Sequence, residues 1–279
     1  MALSENEINE RIDEHQAKVL RDSTAASDRI TAEIDRIRKQ INGILADNSE
    51  EDGKVAERKI RELLKELDGL EDELYDEIEA GIVREVEKSV DSSTKFLVGL
   101  LVGAVGISAI TGGKPKESSL SKQIAKDVLN DTHGGIRLNR RIKAVTGLFR
   151  DAMQSEIRYG IRLGESATTI ARRVKRAVDK LMWQVKRIVT TEIPKAFRVA
   201  TAYIGNKLGV IKAIKIIDNR GRHRYHEHHE CYRLAEQNPY GWGKGVYKTT
   251  DTYIYSPHPQ CSAYYHYVLK DEYKGEGRR

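Results

Sequence analysis

Two pairs of potential metal ligands lie in the C-terminal quarter of the chain. His228 and Cys231 are separated by two residues, and His258 and Cys261 have the same spacing. Two ligands at this spacing on a tight turn reach one ion, and two such turns complete a tetrahedral site. Thiolate and imidazole ligands favour zinc over magnesium or calcium. The pattern therefore predicts a structural Zn²⁺ site, similar to a zinc knuckle, with four protein ligands.

The same residues have other interpretations. The two cysteines can be small apolar core residues with no metal, because free cysteine is often buried in this way. A disulfide is the least favoured alternative, because the N-terminus lacks the pattern of a secretory signal peptide. The sequence also leaves open whether His226, His228 or His229 is the first ligand.

A catalytic metal site is the main functional alternative. The segment from His226 to Glu230 combines three histidines with Glu227 and Glu230, which can bind a divalent ion and supply the general base of a nuclease. A catalytic ion keeps one open coordination position, whereas a structural ion does not. Because both Cys-containing pairs together form a closed set, we expect a protein that is not an enzyme.

Charge is divided unevenly along the chain that must position these ligands. Residues 1–92 carry 14 basic and 26 acidic side chains, a net charge of −12, whereas the remainder has a net charge of +18. Such asymmetry suggests different partners for the two parts. The basic part can contact DNA phosphates without sequence specificity. Alternatively, the two parts neutralise each other within an oligomer.

The acidic part has the pattern of an antiparallel helical hairpin over residues 1–94. Ser4 and Glu7 form a capping box, which marks a helix start. Isoleucines at heptad spacing follow in residues 30–44, and a second apolar seam occupies residues 60–86. The intervening polar turn predicts that the two helices pair as a coiled coil, within one chain or between chains. We expect this hairpin to bind a partner protein.

An uncharged apolar run follows within residues 95–118. It extends from Phe96 to Ile110, and as a helix its 15 residues span roughly 22 Å, which is short for a bilayer core of about 20 residues. Gly99 and Gly103 form a face that allows close approach of another helix. We expect a buried or subunit-contact helix; the alternative is a segment that acts on membranes.

Residues 119–209 are basic and have the pattern of a helical bundle. Ser166 is a predicted N-cap, and Pro194 predicts a kink or restart of the last helix. Basic side chains at helical spacing are candidates for DNA contact. They are Arg172, Arg173, Lys175, Arg176, Lys180, Lys186 and Arg187.

The C-terminal lobe, residues 210–279, combines short strands with the predicted zinc site. Residues 210–217 alternate lysines with apolar residues, which predicts a strand. Residues 246–247 and 252–255 are predicted as further short strands. The predicted fold class is therefore mainly α, with an N-terminal helical hairpin, a central helical bundle and a small α+β C-terminal lobe.

The order of these motifs resembles the phage head morphogenesis family, the Mu F-like minor head proteins. The resemblance covers roughly residues 130–268. His228 stands where the family usually has a cysteine, and the frequent extra cysteine after His-Pro-x-Cys is missing. The matching residues are Thr191 and Glu192 on a helix, a strand and a turn with Asp218, Cys231 followed by Leu234, Tyr247 on a strand, and His258-Pro259-x-Cys261.

The resemblance implies a structural component of a tailed-phage virion. Such a protein would bind the portal or the inner capsid, in several copies, and would assist head assembly, DNA packaging or DNA ejection. It would lie in the capsid interior near the portal, and in the host cytoplasm during assembly. On this interpretation the basic part faces packaged DNA, and the apolar segment contacts a membrane transiently during ejection.

Overall fold

Helices dominate the structure, a computed structural model that describes residues 3–106, 115–133, 135–219 and 226–274, with only the backbone of His133 and His226. The described chain is mainly helical (73%), with a small three-stranded antiparallel sheet near the C-terminus. The helices are α1 (Glu5–Asp47), α2 (Ile60–Val105), α3 (Glu117–Asn130), α4 (Leu138–Arg162), α5 (Ala167–Asp179), α6 (Met182–Leu208) and α7 (Glu230–Glu236). The strands are β1 (Thr132–His133), β2 (Ile136–Arg137), β3 (Ile211–Ile217), β4 (Val246–Tyr247) and β5 (Tyr264–Leu269). Short 3₁₀ helices span Glu57–Lys59, His226–His228, Thr252–Tyr255 and Asp271–Tyr273.

The chain divides into two compact units. The first unit contains Met1–Thr24, Arg84–Asp131 and Thr190–Arg279, and the second contains Ala25–Val83 and Thr132–Val189. Each unit is thus assembled from segments that are far apart in sequence.

In the second unit, parts of α1 and α2 lie side by side. Arg36 on α1 forms ion pairs with Glu73 at 2.9 Å and Glu77 at 3.2 Å on α2. A Cβ atom on Gly81 would lie 3.1 Å from Ile30 Cγ1. Ile30 therefore lies beside Gly81, whereas Arg36, further along α1, pairs with residues that come earlier in α2. The two segments run antiparallel. The isoleucine seam predicted in α1 is buried at residues 30, 34, 37 and 41.

Helices α4 and α5 of the second unit meet at a glycine. A Cβ atom on Gly160 would come within 2.5 Å of Ile170 Cγ1, so only glycine allows this approach. Ser166 accepts a hydrogen bond from the Thr169 amide at 3.3 Å, which confirms the predicted N-cap.

The first unit contains the three-stranded sheet, in the order β4-β3-β5, with both pairings antiparallel. β3 confirms the strand predicted from alternating lysines, because Lys212 and Lys215 are exposed between buried apolar residues. β4 is confirmed as well. The strand predicted at Thr252–Tyr255 is wrong. This segment is a 3₁₀ helix in which the consecutive residues Ile254 and Tyr255 are both buried, so burial does not alternate as it does in a strand.

Helix α6 continues through Pro194, so the helix does not restart there; the alternative prediction, a kink, stays a prediction. Its segment in the first unit buries three charged residues. They are Glu192, Lys195 and Arg198. Lys195 forms an ion pair with Asp131 at 2.8 Å.

The apolar segment forms the C-terminal end of α2. Leu97, Val98 and Leu101 are fully buried, whereas Gly99 and Gly103 are exposed. The Phe96 ring stacks on the His15 ring, with centroids 4.1 Å apart. Ile110, the predicted end of the segment, lies outside the described residues. None of the helices in the described ranges has the length and apolar composition to cross a bilayer.

Candidate metal centre

Three of the four predicted ligands lie together in the first unit. The potential ligand atoms of Cys231, His258 and Cys261 are all within 4.8 Å of one another. His258 Nε2 is 3.1 Å from Cys231 Sγ. Both cysteines are buried and neither forms a disulfide. The group can therefore hold a metal ion through two thiolates and one imidazole.

Cys231 and the His258–Cys261 turn belong to different elements of the lobe. Cys231 lies in the first turn of α7, two residues after the N-cap residue His229. The His258–Cys261 turn precedes β5 and contains Gln260, which has a positive φ of 55°. The Gln260 amide donates to Thr191 Oγ1 on α6 at 3.0 Å, so this left-handed turn is fixed against α6.

The His258 ring is oriented by its own turn. Its Nδ1 lies 2.9 Å from the Pro259 carbonyl oxygen, to which an Nδ1–H group donates. Nε2 is then left with its lone pair directed at the thiol group of Cys231. A backbone carbonyl in this position is the usual outer partner of a metal-binding histidine. The orientation therefore suits metal binding through Nε2.

Arg198 on α6 supplies a buried cation beside the ligands. Its guanidinium donates to the carbonyl oxygens of Tyr255, at 3.3 Å, and of Cys261. It also lies over the Tyr265 ring, 5.1 Å from the centroid. Sequence patterns did not identify this residue, because its partners are 57 and 63 positions away. Arg198 thus holds the backbone at both sides of the ligand turn.

The environment separates the acidities of the two thiols. The hydrogen bond with Cys231, together with the charges of Arg198 and His258, holds the pKa of Cys261 well below its ordinary value. The same hydrogen bond and burial raise the pKa of Cys231. Burial lowers the pKa of His258, but the hydrogen bond and charge of Cys261 outweigh it, so the net shift is upward. One thiolate is therefore already stabilised in the site.

His228, the fourth predicted ligand, is not part of the group. Its side chain is 79% exposed, and its Nε2 lies 3.8 Å from a Glu227 carboxylate oxygen. The neighbouring His229 is closer to the site, since its ring meets that of His258 edge-on with centroids 4.9 Å apart.

Asp218 is also close to the three clustered ligands, with Oδ1 3.9 Å from Cys231 Sγ. The sequence signal for Asp218 was its place in a turn directly after a strand, which is also one of the motifs in the family resemblance.

Among the side chains that the structure describes, the histidines and glutamates of the nuclease alternative do not form a second cluster. Glu230 forms an ion pair with Arg233, while Glu227 and His228 are exposed. The His226 side chain lies outside the described residues. Within the described ranges, Cys231, His258 and Cys261 are the only group of three or more such side chains with metal-binding geometry.

Several predicted DNA-contact residues form ion pairs within the second unit. Arg173 donates to Glu165 at 2.6 and 2.8 Å. Lys175 pairs with Asp179, and Lys186 with Asp28, each at 2.8 Å. The remaining candidates are exposed side chains on α5, α6 or the turn between them. They are Arg172, Arg176, Lys180 and Arg187.

No known family pattern, curated protein or solved structure matches the chain.

Proposed function

We propose that the protein is a structural minor head protein of a tailed bacteriophage, with a C-terminal lobe stabilised by one zinc ion. The buried Cys231–His258–Cys261 group is the observation that carries this proposal. It joins α7 to the turn before β5, and its position in the chain matches the ligand order of the Mu F-like family. The resemblance supplies the virion role, and the geometry supports the metal.

Zinc is proposed because of the ligand chemistry. Two cysteine sulfurs and an imidazole nitrogen suit a borderline-soft ion, and structural zinc sites use such sets in tetrahedral geometry. Burial of both cysteines also suits a structural ion, since a substrate needs access to a catalytic one. The ion would hold together two chain segments of a small lobe. We therefore propose a structural function and no enzymatic activity.

We assign roles to the remaining parts of the chain from their charge. The acidic helices, paired as a coiled coil, would bind the portal or the major capsid protein. Exposed basic residues on α5 and α6, such as Arg172 and Arg176, would lie near packaged DNA, which they would contact through phosphates without sequence specificity. Transient membrane contact by the end of α2 would occur only during ejection.

The virion role is tested in particles induced from cells that carry the coding sequence. Full and empty heads are separated by density gradient, treated with nuclease and protease, and analysed by quantitative mass spectrometry. We expect the chain in both head classes, in a few copies for each portal, and protected from protease. Absence of the chain from both classes would overturn the proposal. The abundant capsid protein serves as the recovery control.

A further inference from the structure

We propose that the Asp218 carboxylate is the fourth ligand of the metal ion held by Cys231, His258 and Cys261. This inference rests on the metal-binding part of the proposed function. The three clustered residues occupy three positions of a tetrahedron and leave one position to be filled. Asp218 Oδ1 lies 3.9 Å from Cys231 Sγ, on the edge of the cluster.

The two distances from Cys231 agree with a shared ion, and the Asp218 carboxylate, which lies outside the group of atoms within 4.8 Å of one another, would move towards that group on binding. With metal–sulfur bonds of about 2.3 Å and metal–oxygen or metal–nitrogen bonds of about 2.0 Å, two ligand atoms in a tetrahedron lie about 3.5 Å apart. The separations from Cys231 Sγ are 3.1 Å to His258 Nε2 and 3.9 Å to Asp218 Oδ1. Both lie within about half an ångström of this value. Metal binding would replace the thiol proton that Cys231 shares with the carboxylate.

The backbone around Asp218 is fixed on both sides. Asp218 directly follows β3, whose last residue, Ile217, pairs with Tyr264 of β5. On its other side, the Asn219 side-chain amide donates to the Ser262 carbonyl oxygen at 3.5 Å. Ser262 is the neighbour of the ligand Cys261 in the chain. The sheet and this hydrogen bond therefore hold Asp218 and Cys261 at the same end of the lobe.

Charge balance favours Asp218 over His229, the nearest competitor. Two thiolates, one carboxylate and a divalent ion sum to −1, and the buried guanidinium of Arg198 beside Cys261 brings the site to neutrality. With His229 instead of Asp218, the same site carries a charge of +1. An uncompensated buried charge is costly. Asp218 therefore completes the site with less electrostatic cost.

The test compares four full-length proteins for metal content and Co²⁺ binding. They are the wild type, Asp218→Ala, Asp218→Cys and His229→Ala. Asp218→Ala should bind metal at least 10-fold more weakly, because even residues outside the ligand shell change metal affinity by about 10–100-fold. Asp218→Cys should restore tetrahedral Co²⁺ absorption with a stronger thiolate charge-transfer band, since it replaces one anionic ligand by another. His229→Ala should bind as the wild type does.

The outcomes separate this inference from the proposed function. If the wild type is folded by circular dichroism but binds neither zinc nor Co²⁺, the metal centre itself is wrong. If the wild type binds metal and Asp218→Ala binds equally well, Asp218 is not a ligand, whether His229 or water takes the position. If Asp218→Ala fails to fold, Asp218→Cys decides, because an unchanged charge-transfer band would overturn the inference.

Discussion

The two units of the molecule are stabilised in different ways. In the second unit, the described buried residues are apolar, apart from glycines and the hydroxyl residues Ser27, Thr31 and Thr146. Its ion pairs, such as Arg36 with Glu73, retain substantial exposure. In the first unit, Arg198 and Lys195 are buried, as are both cysteines. One unit is thus held mainly by apolar packing, and the other also by a buried polar network.

This difference indicates which part of the chain retains buried groups that are costly for stability. Apolar seams are the least costly way to stabilise helices, because burial of apolar surface needs no partner. Buried charges are costly unless each has a partner. A small lobe that retains them next to three potential ligands gains stability when an ion completes the set. The contrast therefore supports the metal centre as the functional feature of the fold.

The largest effect is expected from Arg198→Met. This change removes the donors to the Tyr255 and Cys261 carbonyl oxygens and leaves both acceptors buried. We expect a loss of about 1–3 kcal/mol in the free energy of unfolding for each of the two unpaired acceptors, measured by urea denaturation. The matched control in the second unit is Arg36→Met, which breaks exposed pairs and should cost less than about 1 kcal/mol. Equal losses would show that the two units do not differ as described.

A smaller effect is expected at the crossing of α4 and α5. Gly160→Ala would place a Cβ atom within 2.5 Å of Ile170 Cγ1, and overpacking of this kind costs about 1–3 kcal/mol. The control is Gly69→Ala in α2, where a Cβ atom meets nothing within 4 Å. That change should stabilise the protein by about 0.5–1 kcal/mol, because alanine favours the helix. Thermal unfolding monitored by circular dichroism measures both; a stabilised Gly160→Ala variant would contradict the tight apolar packing assigned to the second unit.

The smallest effect is expected from the pH response of His15 in the first unit. Burial, with a contribution from Lys18, lowers the pKa of His15 to about 4. The unfolded chain, with a histidine pKa of about 6.5, then binds more protons than the native protein between these values. Stability should therefore fall as pH drops from about 6.5 to about 4. The contribution is about 1 kcal/mol, reduced because the ring is partly exposed.

His15→Phe isolates this contribution, because a phenyl ring can keep the stack on Phe96 but cannot be protonated. Urea denaturation at pH 7 and pH 4.5 should show a larger loss for the wild type than for the variant. Equal losses in the two proteins would show that His15 does not couple protonation to stability.

Local signals in the sequence predicted a large part of the fold. The Ser4–Glu7 capping box, the Ser166 N-cap and the alternation in β3 each depend on residues close in sequence, and the structure confirms all three. The spacing of ligand pairs likewise indicated Cys231, together with His258 and Cys261.

Long-range contacts account for what local patterns did not predict. The 3₁₀ conformation of Thr252–Tyr255 depends on burial of two consecutive side chains, which no local alternation encodes. The sequence did not identify β5 either, although this strand completes the sheet. Arg198 and Asp218 reach the ligand group only because the folded lobe brings them there. The choice among neighbouring histidines also depends on the folded lobe, in which His228 is exposed.

Metal content measured by elemental mass spectrometry tests the central claim most directly. The proteins are the wild type, a Cys231→Ser/Cys261→Ser double variant and His228→Ala as the control. We predict about one zinc per chain in the wild type and in His228→Ala, and none in the double variant, with loss of stability in the C-terminal lobe. A folded wild type without zinc, in which both thiols react readily, would contradict the account.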